Sequence, residues 1–247
     1  MRKFLNWQVN FALILIACSL LVYGLHYYMF RDFHHIMFYL ISDIAFLFID
    51  VLIVMLILHR LLAFREKQTL LRKLNMVIGT FFSEVGIELV KMFAILDKDL
   101  PVLSQKLLVS KDWADKDFAL ARKFVEEQEI AIEGVRADIP LIKRFLLEKR
   151  PFLLGLLENP NLLEHESFTD LLWAVFHLTD ELAHRKEVTG LSEADFKHLS
   201  GDINRAYKLI IVHWLSYMQH LKEAYPYLFS LAVRTNPFDK NAIVEIK

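Results

Sequence analysis

Two long apolar runs dominate the first sixty residues of the chain. They read WQVNFALILIACSLLVYGLHYYMF at 7–30 and IMFYLISDIAFLFIDVLIVMLIL at 36–58. Each is long enough to cross a bilayer, because 23 helical residues reach roughly 35 Å and the hydrocarbon core is about 30 Å thick. The pattern therefore predicts a transmembrane hairpin over residues 1–59, with spans at about 7–30 and 36–58.

The distribution of basic residues predicts the topology of this hairpin. The connecting segment 31–35, RDFHH, carries one arginine, whereas basic residues gather on the other side of both runs. They are Arg2, Lys3, Arg60, Arg65, Lys67, Arg72 and Lys73. By the positive-inside rule both termini are cytoplasmic, so we expect an integral protein of the cell (inner) membrane.

The remainder of the chain carries the pattern of helices. Leu71, Leu74, Ile78, Phe81 and Val85 recur at steps of three and four, which predicts one buried helical seam that continues from the second span. Helix starts are predicted at Asp112, Pro140, Pro151, Ser167 (with Asp170) and Ser192 (with Asp195), a last long helix over 202–224, and a short one from Pro226. We expect an all-α fold: a cytoplasmic helical bundle over 60–235 and an irregular tail over 236–247.

Composition and charge narrow the class of protein. The chain is 55% hydrophobic and has a net charge of −1, so no basic field recruits nucleic acid and no nucleic-acid partner is expected. Its one cysteine, Cys18, excludes an intramolecular disulfide. LIAC at 15–18 resembles a lipoprotein signal with Cys18 as the lipidated residue, although the apolar residues that follow argue against that alternative.

Two carboxylates, Asp43 and Asp50, interrupt the second apolar run. They lie on one stripe of a helix, and the first run carries a matching stripe of Ser19, Tyr23 and His26. An ionised carboxylate at bilayer depth must face protein or water. We expect Tyr23 and His26 to satisfy Asp43, and a subunit interface or a water-filled path to satisfy Asp50; alternatively, both tie the hairpin together.

One segment has the spacing of a metal site. HLTDELAHR at 177–185 places His177, Glu181 and His184 near one helical face and contains the Glu-x-x-His spacing of di-iron bundles. Further candidate ligands for iron, manganese or zinc are Glu84, Glu88, His213 and His220. However, apolar residues fill the opposite face of the 177–185 helix, which favours a solvated His177 face, and His213 and His220 fit a core. We therefore expect no cofactor.

No catalytic residue emerges from these patterns. The chain has no Gly-rich phosphate loop, no G-x-S-x-G and no H-E-x-x-H. The leading hypothesis is that the protein is a membrane-anchored interaction or signalling module and not an enzyme. A homo-oligomer and an unknown protein partner are compatible with this hypothesis. The alternatives are a di-iron-like helical metalloprotein and a small proton or ion pathway that uses Asp43 and Asp50.

Overall fold

The computed structural model describes residues 2–98, 100–128, 138–160, 162 and 166–245. Within these residues every element is helical, and the all-α prediction is confirmed. The α-helices are α1 (Arg2–Phe30), α2 (Phe33–Phe81), α3 (Ile87–Leu96), α4 (Leu100–Leu107), α5 (Asp115–Glu127), α6 (Ile139–Leu157), α7 (Glu166–His184), α8 (Glu193–Ala224) and α9 (Pro226–Arg234), and a π-helical segment, Phe82–Gly86, joins α2 to α3. The chain divides into two compact units, Met1–Lys67 and Gln68–Lys247.

The first unit contains α1 and most of α2. The connection is shorter than the sequence predicts, since only Arg31 and Asp32 are non-helical. Arg31 takes a left-handed conformation (φ 49°) that turns the chain, and the Asp32 carboxylate accepts a hydrogen bond from the His35 N–H at 3.0 Å, which starts α2. Nearly all described side chains here are exposed, including Cys18 inside α1.

The second unit is organised around α8. This helix packs against α5, α7, α9 and α3, and α6 packs on the outer side of α7. The largest fully buried side chains include Trp214 and Tyr207 of α8. The predicted seam of α2 enters this core at Leu74, which is 2% exposed, and continues through Ile78 and Phe81. The part of α2 from Leu74 onward thus contributes core residues to the second unit.

Several predicted helix starts are confirmed. Ser192 is the N-cap of α8, and its hydroxyl accepts a hydrogen bond from the Asp195 N–H at 3.2 Å. Pro226 is the first residue of α9, and Pro140 lies in the first turn of α6. Each of these signals works locally, because a cap or a proline at N1 acts within the first turn.

Other predicted boundaries are wrong. Pro151 lies inside α6, on its exposed side, where water can satisfy the carbonyl that a proline leaves unpaired. Ser167 lies inside α7, which starts at Glu166. Asp112 does not cap α5; the Asp117 carboxylate instead accepts a hydrogen bond from the Ala114 N–H at 2.7 Å. Helix α7 ends at His184, and Gly190 lies in the loop that follows, with φ 74°.

The π segment is a feature that the sequence does not predict. It ends at Gly86, where an added Cβ would lie 2.6 Å from Cδ1 of Phe82 and 3.0 Å from Cε1 of Phe81. The Phe82 ring stacks on Tyr217 of α8, with centroids 5.2 Å apart and an angle of 12° between the rings. Glycine at 86 therefore permits the extra residue of the π turn to be packed against aromatic rings.

Candidate functional site

A cleft opens between the last turns of α2, the π segment, α8 and α9. Its volume is about 450 Å³, which is within the range of ligand pockets. Polar side chains from two sides line it, among them Asn75, Ser83, Tyr217 and His220. Asn75 Nδ2 lies 3.2 Å from His220 Nδ1, a hydrogen bond that links α2 to α8. The absence of a side chain at Gly79 leaves room for Tyr217, whose hydroxyl would lie 3.2 Å from an added Cβ.

Burial favours the neutral forms of the two titratable rings in this cleft, His220 and Tyr217, while its carboxylate, Glu84, pairs with Lys149. Burial lowers the pKa of His220, against a smaller opposing effect of Glu223. Burial also raises the pKa of the Tyr217 phenol. The cleft consequently offers a neutral imidazole, a phenol and an amide, which can hydrogen-bond to a bound group but do not form an activated nucleophile and base.

Four of the predicted metal ligands have separate partners. Glu84 pairs with Lys149 at 3.0 Å, and Glu88 with Lys91 at 3.5 Å. His213 is 8% exposed, and its Nε2 lies 2.9 Å from the Ser167 carbonyl oxygen, as expected of a core histidine. With His220 bonded to Asn75, these four residues do not meet around one point.

A second polar group lies between α7 and α8, and it includes two of the predicted residues. His177 and Glu181 of α7 face His198 and Asp202 of α8, and we name these four residues the α7–α8 cluster. His177 Nε2 is 3.6 Å from Asp202 Oδ2 and 4.0 Å from Glu181 Oε1. His198 Nε2 is 3.5 Å from Asp202 Oδ2 and 3.8 Å from Glu181 Oε2. The two imidazoles thus approach the same pair of carboxylates from different helices.

The remaining part of the predicted His177 face is solvated. His184 is exposed, and its Nδ1 lies 2.8 Å from the Asp180 carbonyl oxygen, one turn back along α7. Asp170 is exposed too. The face is therefore only half solvated, because α8 covers the side that carries His177 and Glu181.

Arg185 organises the carboxylates beside the α7–α8 cluster. Its guanidinium donates to Glu181 Oε2 at 2.5 Å and to Asp195 Oδ1 at 2.7 Å. The hydrogen bond from Arg185 is the main cause of the lowered pKa of both carboxyl groups, and those bonds raise the pKa of Arg185 itself. Sequence reasoning considered His198 only with Asp195, as an approximate second Glu-x-x-His, and missed Asp202, although His198 and Asp202 repeat on α8 the four-residue spacing of His177 and Glu181.

In the first unit, Asp43 and Asp50 are exposed on α2. Among the described residues neither carboxylate has a hydrogen bond or an ion pair, so no contact joins Asp43 to Tyr23 or His26. The His26 ring lies instead against Phe30 and His35, with centroids 4.9 Å and 6.1 Å away. Ser19, at the level predicted for Asp50, is also exposed.

Comparisons with known proteins identify relatives along the whole chain. Residues 70–234 match a family described as "Uncharacterized protein MJ1433, C-terminal helical domain", and residues 2–62 match "MJ1433, N-terminal helical domain". The curated protein "Uncharacterized protein MJ1433" of Methanocaldococcus jannaschii is 45% identical over 239 residues, which cover 97% of this chain and 96% of that protein. No solved structure matches the chain significantly. The chain therefore belongs to the MJ1433 family of proteins with an N-terminal and a C-terminal helical domain.

Proposed function

We propose that the protein is a membrane-anchored interaction module, with a two-span hairpin that holds a helical domain on the cytoplasmic side of the bilayer. One observation carries the proposal. Within the described residues, two helices are long and apolar enough to cross a membrane; their most apolar stretches have mean hydropathies of 2.0 and 2.6, and neither stretch is buried. A core helix of a soluble domain would bury one face, whereas a lipid-facing helix buries none in protein.

The cytoplasmic placement rests on charge. Basic residues lie before the first apolar run and after the second, whereas Arg31 is the one Lys or Arg residue in the connecting segment 31–35. Helix α2 continues from the second run to Phe81, and its residues Leu74, Ile78 and Phe81 are core residues of the second unit. The proposed function of that unit is binding, because its cleft presents neutral hydrogen-bonding groups and no activated catalytic pair.

Site-directed labelling tests the anchor and its topology. In a Cys18→Ala background, His34→Cys places a thiol in the first turn of α2, beside the connection, and Asn241→Cys places one in the tail; both positions are exposed. We expect a membrane-impermeant maleimide, added to intact cells, to label His34→Cys and to label Asn241→Cys only after lysis. The protein should stay in the membrane fraction after alkaline carbonate washing. Labelling of Asn241→Cys on intact cells, or release by carbonate, would refute the proposal.

The interaction itself is tested by crosslinking from the cleft. A photoreactive amino acid at Thr80, an exposed residue that lines the cleft, should yield a discrete heavier product in native membranes. The matched control carries the same group at Lys116, an exposed position on α5. If both positions give the same products, or if neither gives any, the cleft is not the binding surface.

A further inference from the structure

Asp202 is a buried carboxylate with an unpartnered oxygen. Its side chain is 5% exposed, and Oδ2 has no hydrogen bond among the described residues. Oδ1 lies 3.9 Å from Nη1 of Arg205, which is largely exposed and belongs to the same helix. Because an ionised carboxylate is costly to bury without a close counter-charge, Oδ2 needs a positively charged partner.

Two imidazole nitrogens face Oδ2 of Asp202. His198 Nε2 and His177 Nε2 lie 3.5 Å and 3.6 Å away, longer than the hydrogen bonds that usually satisfy such an oxygen. Glu181 adds two more oxygens at 3.8 Å and 4.0 Å from the same nitrogens. Two nitrogen and two carboxylate donors therefore converge, and the half-exposed imidazoles leave a path from solvent.

We propose that the α7–α8 cluster binds one divalent transition-metal ion, with His177, His198 and Asp202 as ligands and Glu181 as the fourth. Imidazole and carboxylate donors suit zinc, manganese and iron. Around a tetrahedral zinc ion, donors about 2.0–2.1 Å from the metal lie about 3.3 Å from one another. The contacts of Asp202 Oδ2, at 3.5 Å and 3.6 Å, are within about 0.3 Å of that spacing.

Among the described residues, no group of three or more His, Cys, Asp or Glu side chains could hold a metal ion in the side-chain positions of this structure. The Glu181 oxygens lie 3.8 Å and 4.0 Å from the imidazole nitrogens, farther than the about 3.3 Å that separates two ligands of a tetrahedral ion. Metal binding therefore requires the two half-exposed imidazoles to rotate toward the carboxylates.

The surrounding charges favour a dication. Glu181, Asp202 and Asp195 supply three negative charges against Arg185 and the largely exposed Arg205, which leaves one net negative charge beside the two imidazoles. Arg185 also fixes Glu181 through Oε2 and leaves Oε1 directed at His177. An arginine thus acts as a positioning residue for a metal-binding carboxylate, as outer-shell groups do in known metal sites.

Metal titration of the purified full-length protein tests the proposal. The protein is prepared without an affinity tag, stripped with a chelator and titrated with Zn²⁺ at neutral pH against a chromophoric competitor. Co²⁺ serves as a second probe, because its visible absorption reports the coordination number. We expect about one zinc per chain with affinity at least about 10-fold weaker in His177→Ala and His198→Ala.

The matched control is His184→Ala, which removes an exposed imidazole from the same helix and should change zinc affinity by less than about 2-fold. Both imidazole ligands are half-exposed, so their alanine variants should fold, and circular dichroism without metal checks this. Binding below about 0.2 equivalents in the wild type, or equal zinc affinity in His198→Ala and His184→Ala, would overturn the proposal.

Discussion

Replacing Gly86 by alanine tests whether the π segment depends on the missing side chain at its last position. The added methyl group would lie 2.6 Å from Cδ1 of Phe82 and 3.0 Å from Cε1 of Phe81. Neither ring can easily give way. Phe82 is 1% exposed, stacks on Tyr217 with a centroid distance of 5.2 Å, and meets Phe81 edge-on at 5.3 Å.

The expected loss of stability in Gly86→Ala follows from two opposing effects. Alanine gains up to about 1 kcal/mol over glycine in a helix interior, and overpacking a filled core costs about 1–3 kcal/mol. Gly201→Ala is the matched control, since Gly201 lies inside α8 and an added Cβ has nothing within 4 Å. Gly201→Ala gains the helix propensity of alanine without overpacking the core. The two variants should therefore differ by about 1–3 kcal/mol in the free energy of unfolding.

Thermal unfolding of the full-length variants, followed by circular dichroism in one mild detergent, measures this difference. For a unit of this size about 1 kcal/mol corresponds to 2–4 °C, so Gly86→Ala should melt roughly 2–12 °C below Gly201→Ala. Gly155→Ala, also without a neighbour within 4 Å, should behave like Gly201→Ala. A Gly86→Ala protein as stable as these two would show that the aromatic packing does not require glycine at 86.

Three further predictions concern other contacts. The buried Asn236 side chain donates from Nδ2 to the Leu107 carbonyl at 2.9 Å and accepts at Oδ1 from the Phe238 N–H at 2.9 Å. Asn236→Ala should therefore lower the free energy of unfolding by about 1–3 kcal/mol, whereas Asn241→Ala, at an exposed position, should not lower it. Arg185→Met should lower the melting temperature at pH 7. The gap to wild type should narrow as the pH falls below 4.5, because Glu181 has a lowered pKa in the fold and its stabilisation is lost on protonation; a gap that does not narrow in acid would contradict this origin. Asp50→Leu should reduce the oligomer size in mild detergent while Asp43→Leu does so less, and equal sizes for both variants and wild type would exclude the assignment of Asp50 to a subunit interface.

Local signals in the sequence predict some of the helix boundaries. Ser192 and Pro226 start α8 and α9 as predicted, and the apolar seam of α2 is buried from Leu74 onward. These predictions succeed because caps, prolines and helical periodicity act over one or two turns. The prediction of a separate long helix from 202 fails for the opposite reason: Leu199 and Ile203 are both buried, and their packing outweighs the low helix propensity of Gly201.

The α7–α8 cluster is beyond such local signals. The helical wheel of 166–184 correctly separates Leu171 and Leu178, which are buried, from the polar face with His177. It does not show that α8 covers half of that polar face, because contacts between helices depend on tertiary packing. The π segment is missed in the same way, since nothing in FSEVG distinguishes it from a regular helical turn until Tyr217 of α8 packs on Phe82.

The carboxylates of the chain connect these findings through one physical requirement. A carboxylate removed from water needs a counter-charge or hydrogen-bond donors. Asp202 has two imidazoles and Arg205 within 4.0 Å, all in its own unit. Its counter-charge can therefore come from that unit together with the proposed metal ion. Asp43 and Asp50 have no such neighbours on α1 or α2. In the proposed spans each ionised carboxylate would cost at least about 2.5 kcal/mol, so a partner from outside these two helices is needed. Under the subunit-interface prediction, a second copy of the hairpin would supply such a partner to Asp50, and the oligomer size of Asp50→Leu tests that assignment.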